Sequence, residues 1–118
     1  MQHQLQSLAS QLDGELHTDE LLRHIYATDA SIYRELPMAV AYPKHKADIQ
    51  TLVRFARENE LSLIPRSAGT SLAGQCVGSG IVVDISRYMT KVLEITPRLT
   101  SIKTWIRVVA RLTRIAAR

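Results

Sequence analysis

The sequence predicts an α/β fold: a small, mostly parallel sheet with flanking helices. Three observations carry that expectation. An apolar run MAVAY (38–42), an amphipathic helical stretch (46–59) and a second apolar run LSLIP (61–65) follow one another directly, the order of a βαβ unit with parallel strands and a right-handed crossover. A third apolar run, GIVVDI (80–85), continues the pattern. Between the second and third runs lies a segment of tiny or hydroxylated side chains, SAGTSLAG (67–74). It leaves a predicted strand, where ligand-binding loops of parallel sheets sit.

The elements can be justified in order. Leu5, Leu8, Ala9 and Leu12 recur at one helical face and Gly14 closes the pattern, so a first helix is expected over 3–13. Thr18 is placed as the N-cap of a second, short helix over 19–26, with Asp19 and Glu20 in the first turn where carboxylates suit the helix dipole. TDASIYRELP follows as an irregular connection ending at Pro37, which biases Leu36 towards an extended conformation. Residues 38–42 are short, apolar and closed by Pro43, as a buried strand is. Ile49, Leu52, Val53 and Ala56 mark one face of the helix from Lys46 to Asn59. KVLEIT (91–96) is expected to add a fourth strand.

Size and composition bound the function. The chain has 118 residues, enough for one compact domain or a piece of a larger one. No apolar stretch approaches a membrane-spanning length, and MQHQLQSLASQLDGE lacks the charged-then-apolar order of a secretion signal; a cytoplasmic location is expected. One cysteine, Cys76, excludes an internal disulfide. His3, His17, His24 and His45 show no metal-ligand spacing, and each is expected to be a surface or structural histidine. The formal charge is +4, but it is unevenly spread. Residues 98–118 hold Arg98, Lys103, Arg107, Arg111, Arg114 and Arg118 with no acid. Without them the chain is mildly acidic, which removes the case for nucleic acid.

The loop IPRSAGTSLAGQ (64–75) carries the chemistry. Ser67, Ala68 and Gly69 leave the backbone unshielded, so successive N–H groups can wrap an anion, with Thr70 and Ser71 adding hydroxyls and Gly74 allowing a close approach. Gly69 and Gly74 have the spacing of a mononucleotide loop, but Gln75 and Cys76 stand where its lysine and hydroxyl belong. Gly78 and Gly80 precede a strand, not a helix, and do not complete a dinucleotide fingerprint. On the residues alone, an anion-binding loop and a tight structural connection stay equally open.

PRSAGTSLAGQ, with AVAYPKHKADIQTLVRFARENELSLI before it and GIVVDISRYMTKVLEI after it, resembles the N-terminal part of the FAD-binding domain shared by vanillyl-alcohol oxidase, p-cresol methylhydroxylase and the D-lactate and glycolate dehydrogenases. HTDELLRHIYATDASIYRELPMAVAYP is similar to the lead-in of the glycolate oxidase and D-lactate dehydrogenase branch. The resemblance implies the first lobe of a PCMH-type FAD-binding domain over 37–97, after a helical lead-in over 1–36. It implies FAD as cofactor, with its pyrophosphate at Arg66, Ser67, Ala68, Gly69, Thr70 and Ser71. Pro65 then marks the strand exit, and Gly74 and Gln75 lie towards the flavin. Ala68 replaces the usual second glycine, so the backbone there must keep a negative φ. Arg66 is expected either to neutralise phosphate charge or to be a plain surface arginine.

Within the branch, Tyr26, Asp29 and Tyr33 match a Tyr-x-x-Asp-x-x-x-Tyr lead-in, and a structural role is expected: Asp29 capping a turn, the tyrosines packing. Cys76 is read as a small packing residue. The intact relative is expected to oxidise a D-2-hydroxy acid such as lactate or glycolate by hydride transfer to flavin, and this chain alone to be inert. A non-catalytic nucleotide or phosphate-binding module is the alternative.

After VLEIT the resemblance is expected to stop. Ile102, Trp105, Ile106, Val109, Leu112 and Ala116 share a helical face and the basic residues share another, so 98–118 reads as a basic amphipathic helix. A membrane-surface anchor and a truncated or frameshifted end both explain that pattern, and the second is preferred. An incomplete lobe would also leave apolar surface open, which favours self-association into homo-oligomers.

Overall fold

The computed structural model describes residues 1–95 and the backbone of 102–103. The elements are α1 (Gln2–Ala9), β1 (Glu15–His17), α2 (Glu20–Ile25), β2 (Ala39–Tyr42), α3 (Lys46–Glu58), β3 (Leu63–Arg66), β4 (Ile81–Asp84), β5 (Glu94–Ile95) and β6 (Ile102–Lys103). Four strands form one sheet in the order β1-β2-β4-β3. β2, β4 and β3 are parallel, and β1 runs antiparallel on the β2 edge. The mixed α/β sheet follows from the patterning: β2 and β4 read AVAY and IVVD and every residue of both is buried, as strands covered on both faces must be.

Alternation divides the sheet's two faces. Ala39, Ala41, Ile81 and Val83 point to one side and join Leu5 and Leu8 of α1 and Leu52 of α3 in the core cluster, with Phe55 and Leu63 against its margin. Val40, Val82 and Ile64 point to the other side and are also buried. At the C-terminal ends of the parallel strands this second face presents Tyr42, Asp84 and Arg66, with Arg66 and Asp84 paired in register.

Asp48, 2% exposed in the first turn of α3, ties three parts of the chain. Its carboxylate receives the amides of Asp13 (3.0 Å), Gly14 (3.1 Å) and Lys44 (2.8 Å). A Cβ on Gly14 would lie 2.2 Å from the Tyr42 carbonyl. This close join explains why α1 ends at Ala9 rather than continuing to 13: Gln11 and Leu12 bond back only three residues, to Leu8 and Ala9, as the chain turns into β1.

Other expectations need correction. Asp19, not Thr18, caps α2, its carboxylate accepting the Leu22 amide at 2.9 Å. β1 was not expected, because three residues reading ELH carry no periodic signal. β5 lies where a further strand was expected over 91–96, but it stands outside the main sheet and pairs antiparallel with β6. Ile102 and Lys103 are therefore strand, not helix, and the rest of the amphipathic helix expected over 98–118 lies outside the described residues. No helix among the described residues is long and apolar enough to cross a membrane.

The C-terminus of α3 shows a second cost hidden in the sequence. Glu60 follows the cap residue Asn59 with φ 54°, and Leu61 N–H donates to Ala56 C=O at 2.8 Å, closing a left-handed cap where glycine is usual. Glu60→Gly is expected to stabilise the domain by about 1 kcal/mol, and Asp48→Ala to destabilise it by about 3 kcal/mol as three amides lose a charged acceptor. Urea denaturation of the two variants checks both signs.

Candidate functional site

The loop from Ser67 to Gly80 leaves the C-terminal end of β3, crosses the mouth of the sheet and returns into β4. Its peptide orientations follow from a few anchors. The Arg66 carbonyl accepts from Ile85 N–H at 3.1 Å, extending the β3–β4 ladder. A trans peptide places the following N–H on the opposite side, so the Ser67 amide is directed away from β4, towards the open edge. The Gly69 carbonyl accepts from Ala30 N–H at 3.1 Å, so the Thr70 amide is directed away from the lead-in. Among the described residues, the amides of Ser67 through Leu72 donate to no protein acceptor. Ser67, Ala68, Thr70 and Leu72 are exposed.

Two glycines permit this path. Gly69 (φ 67°) and Gly74 (φ 71°) occupy left-handed backbone, and a Cβ on them would lie 2.6 Å from Arg66 Nη2 and 2.7 Å from Tyr33 Cδ2 respectively. Ala68 is not among the positive-φ residues, so its methyl group is accommodated as the sequence requires.

The side chains of the loop turn inward more than the sequence implied. Ser71 Oγ receives the amides of Ala73 (3.3 Å) and Gln75 (3.1 Å) and donates to Gln75 Oε1 at 3.1 Å, so Ser71 and Gln75 cap the loop itself. Arg66 is neither a plain surface arginine nor a freely extended one. Its Nη1 donates to the carbonyls of Thr28 (2.7 Å) and Cys76 (3.3 Å), and its guanidinium stacks 4.9 Å from the Tyr26 ring centroid. Pro65 lies in β3 at the exit from the strand. What the loop offers an anion is main chain together with the exposed Ser67 and Thr70, whose hydroxyls engage no protein group among the described residues, whereas that of Ser71 is turned inward.

Beneath the loop lies a polar cluster. Asp84, 5% exposed at the end of β4, accepts from Ser86 N–H (2.8 Å) and Ser86 Oγ (2.6 Å) through one oxygen and from the Tyr26 hydroxyl (2.6 Å) through the other. Tyr42 O–H donates to Tyr26 O at 3.1 Å. Asp29 repeats the motif: one oxygen takes Ser31 N–H (2.9 Å) and Ser31 Oγ (2.5 Å), the other takes Cys76 N–H at 3.4 Å. Ser31 hydrogen bonds, a Cys76 amide bond and the Arg66 charge hold the Asp29 carboxyl below its ordinary value against partial desolvation. Tyr26 and Asp29 thus fill the structural roles expected of them, with long-range partners the sequence did not disclose, whereas Tyr33 is 57% exposed.

Other features stand apart. Glu15 accepts from Tyr88, His17 and Arg87, and the Tyr88 hydrogen bond is the main cause of its lowered pKa. Asp13, His45 and Asp48 come together, but the Asp48 oxygens already hold three amides. Two open depressions flank the sheet: about 240 Å³ between α2 and Arg87, and about 260 Å³ bounded by Tyr33, Arg34, Glu35, Ala73, Gly74 and Val77, beside the loop.

Comparison with known proteins places these features. Residues 37–109 match the family model described as FAD binding domain, a match that continues past residue 97. D-2-hydroxyglutarate dehydrogenase of Escherichia coli is 39% identical over 110 residues, covering 90% of this chain and 10% of that protein. The mitochondrial cytochrome-dependent D-lactate dehydrogenase of Kluyveromyces lactis is 35% identical over 87 residues, covering 70% and 14%. The chain thus spans about a tenth to a seventh of the length of these relatives. Among solved structures, alkyldihydroxyacetonephosphate synthase shares the fold with a TM-score of 0.60 at 21% identity, over 70% of this chain and 18% of that one.

The Tyr26 phenol is pushed up, first by burial and then by donation to Asp84. Its folded value lies above the ordinary 10.0, so its contribution to stability is complete below that pH and is lost as pH rises towards the folded value. Following phenolate absorbance with pH should show Tyr26 ionising only as the chain unfolds. Tyr26→Phe should remove that late step and cost about 2 kcal/mol, because a buried carboxylate loses its phenol donor.

Proposed function

Because the chain belongs to the FAD binding domain family, we propose that the Ser67–Ser71 backbone holds the diphosphate of FAD and that the chain is the FAD-binding portion of a flavin-dependent dehydrogenase acting on a D-2-hydroxy acid. The observation that carries the reading is the row of amides from Ser67 to Leu72 with no protein acceptor among the described residues, set at the C-terminal ends of parallel strands. Oriented amides stabilise an oxyanion without needing a cation beside it. Gly69 and Gly74 keep the path free of Cβ atoms, and Arg66 supports the loop from below. These residues fit a diphosphate.

Flavin, when bound, supplies the acceptor for a substrate hydride. The chain's own residues bind and orient. D-2-hydroxyglutarate and D-lactate are named for the relatives, and both are D-2-hydroxy acids, which is why that substrate class is proposed for the intact protein. The chain spans about a tenth of the length of the Escherichia coli relative, and we infer that it supplies only a share of the surface that buries the cofactor. The chain alone is therefore expected to bind FAD weakly and to lack turnover.

Titrating FAD, ADP and riboflavin separately into ¹⁵N-labelled chain tests this. FAD and ADP are expected to shift the amide resonances of Ser67 to Leu72 while riboflavin, which lacks phosphate, leaves them in place. Gly69→Ala is expected to weaken both by about tenfold, since it strains the left-handed backbone by ~1–2 kcal/mol. No response to FAD or ADP in this segment would remove the assignment, and equal binding of ADP and FAD would favour a general nucleotide-binding module.

A further inference from the structure

We propose that the Tyr26–Arg34 segment is a strap that sets the conformation of the diphosphate loop, with Asp29 as its positioning residue; this rests on the cofactor reading above. The strap touches the loop at three places spread along its length. Thr28 C=O receives Arg66 at the loop's entry, Ala30 N–H holds the Gly69 carbonyl near its start, and Asp29 holds the Cys76 amide in its second half. Cys76 is thereby gripped at both ends of its residue, its N–H by Asp29 and its carbonyl by Arg66. The loop is closed across ten residues by one carboxylate and one guanidinium that also attract each other.

The strap is itself cross-tied. Thr28 and Arg34 form an antiparallel bridge, Glu35 N–H donates to Ala27 C=O at 2.9 Å, and Ala27 is fully buried. Asp29 is suited to its task because Ser31 engages only one of its oxygens. The second oxygen is left pointing at the loop, so a local turn becomes a long-range clamp. The outward direction of the Thr70 amide depends on the Ala30 bond to Gly69, and that bond depends on where the Asp29 turn places Ala30. An amide row aimed in advance binds an anion without first being ordered.

Asp29→Asn separates the clamp from the turn. Asparagine caps such turns well, but with one oxygen it cannot serve both Ser31 and Cys76. The full chain carrying Asp29→Asn is expected to bind FAD roughly tenfold more weakly, while Ser31→Ala, which leaves the second oxygen in place, stays within about twofold. In the ligand-free chain, amide exchange at Cys76 is expected to accelerate at least about tenfold in Asp29→Asn, with the thermal midpoint reported alongside as a check on folding. Unchanged exchange at Cys76, or wild-type FAD affinity in Asp29→Asn, overturns the strap. Failure of the unsubstituted chain to respond to FAD overturns the cofactor reading instead, and the exchange result still decides whether the strap holds the loop.

Discussion

A buried carboxylate at the end of a parallel strand is the constraint around which this chain is arranged. Asp84 lies 5% exposed on the face of the sheet that also carries Tyr42 and Arg66. Its charge would be costly there unless every lone pair found a donor. Ser86 supplies two donors from the next turn of chain, and Tyr26 supplies the third from 58 residues away. Drawing Tyr26 into that position brings the lead-in to the C-terminal ends of the strands, on the face opposite the cluster that α1 and α3 cover. Satisfying one buried carboxylate thus fixes where the lead-in meets the sheet.

The same economy governs the loop. Carbonyls are tethered, by Ile85 to Arg66 and by Ala30 to Gly69, and the amides on the far side of each peptide plane are turned outward as a geometric consequence. The charged side chains nearby, Arg66 and Asp29, attract each other and hold structure. Recognition of a negatively charged group then falls to dipoles whose direction is set by hydrogen bonds elsewhere. Small side chains are needed because the dipoles must reach the surface, which is why the segment looks so plain in composition.

Much of the frame was readable from the sequence because the parallel strands are short continuous apolar runs and α3 has a clean apolar stripe. β2 at 39–42, α3 at 46–58, β3 at 63–66 and β4 at 81–84 fall within about two residues of their expected bounds. The failures share a cause. α1 stops early because Asp48 captures the amides of Asp13 and Gly14, and β1 exists because that turn delivers a tripeptide with one apolar residue, Leu16, to the β2 edge of the sheet. Neither event leaves a periodic trace. The position of the small-residue loop after β3 was legible, since it depends only on order along the chain. The inward roles of Arg66, Ser71 and Asp29 were not, since Asp29 and Cys76 are 47 residues apart and only the folded topology introduces them.

The join between lead-in and loop has a consequence for how such a segment can be moved between proteins. A strand-loop-strand piece cut from Leu63 to Asp84 would carry every small residue and both left-handed glycines. It would leave behind Ala30, Asp29 and Tyr26, and with them the contacts that orient its peptide planes. Grafted onto a foreign sheet, the piece would keep its letters and lose its aim; the smallest transplantable unit begins before Tyr26.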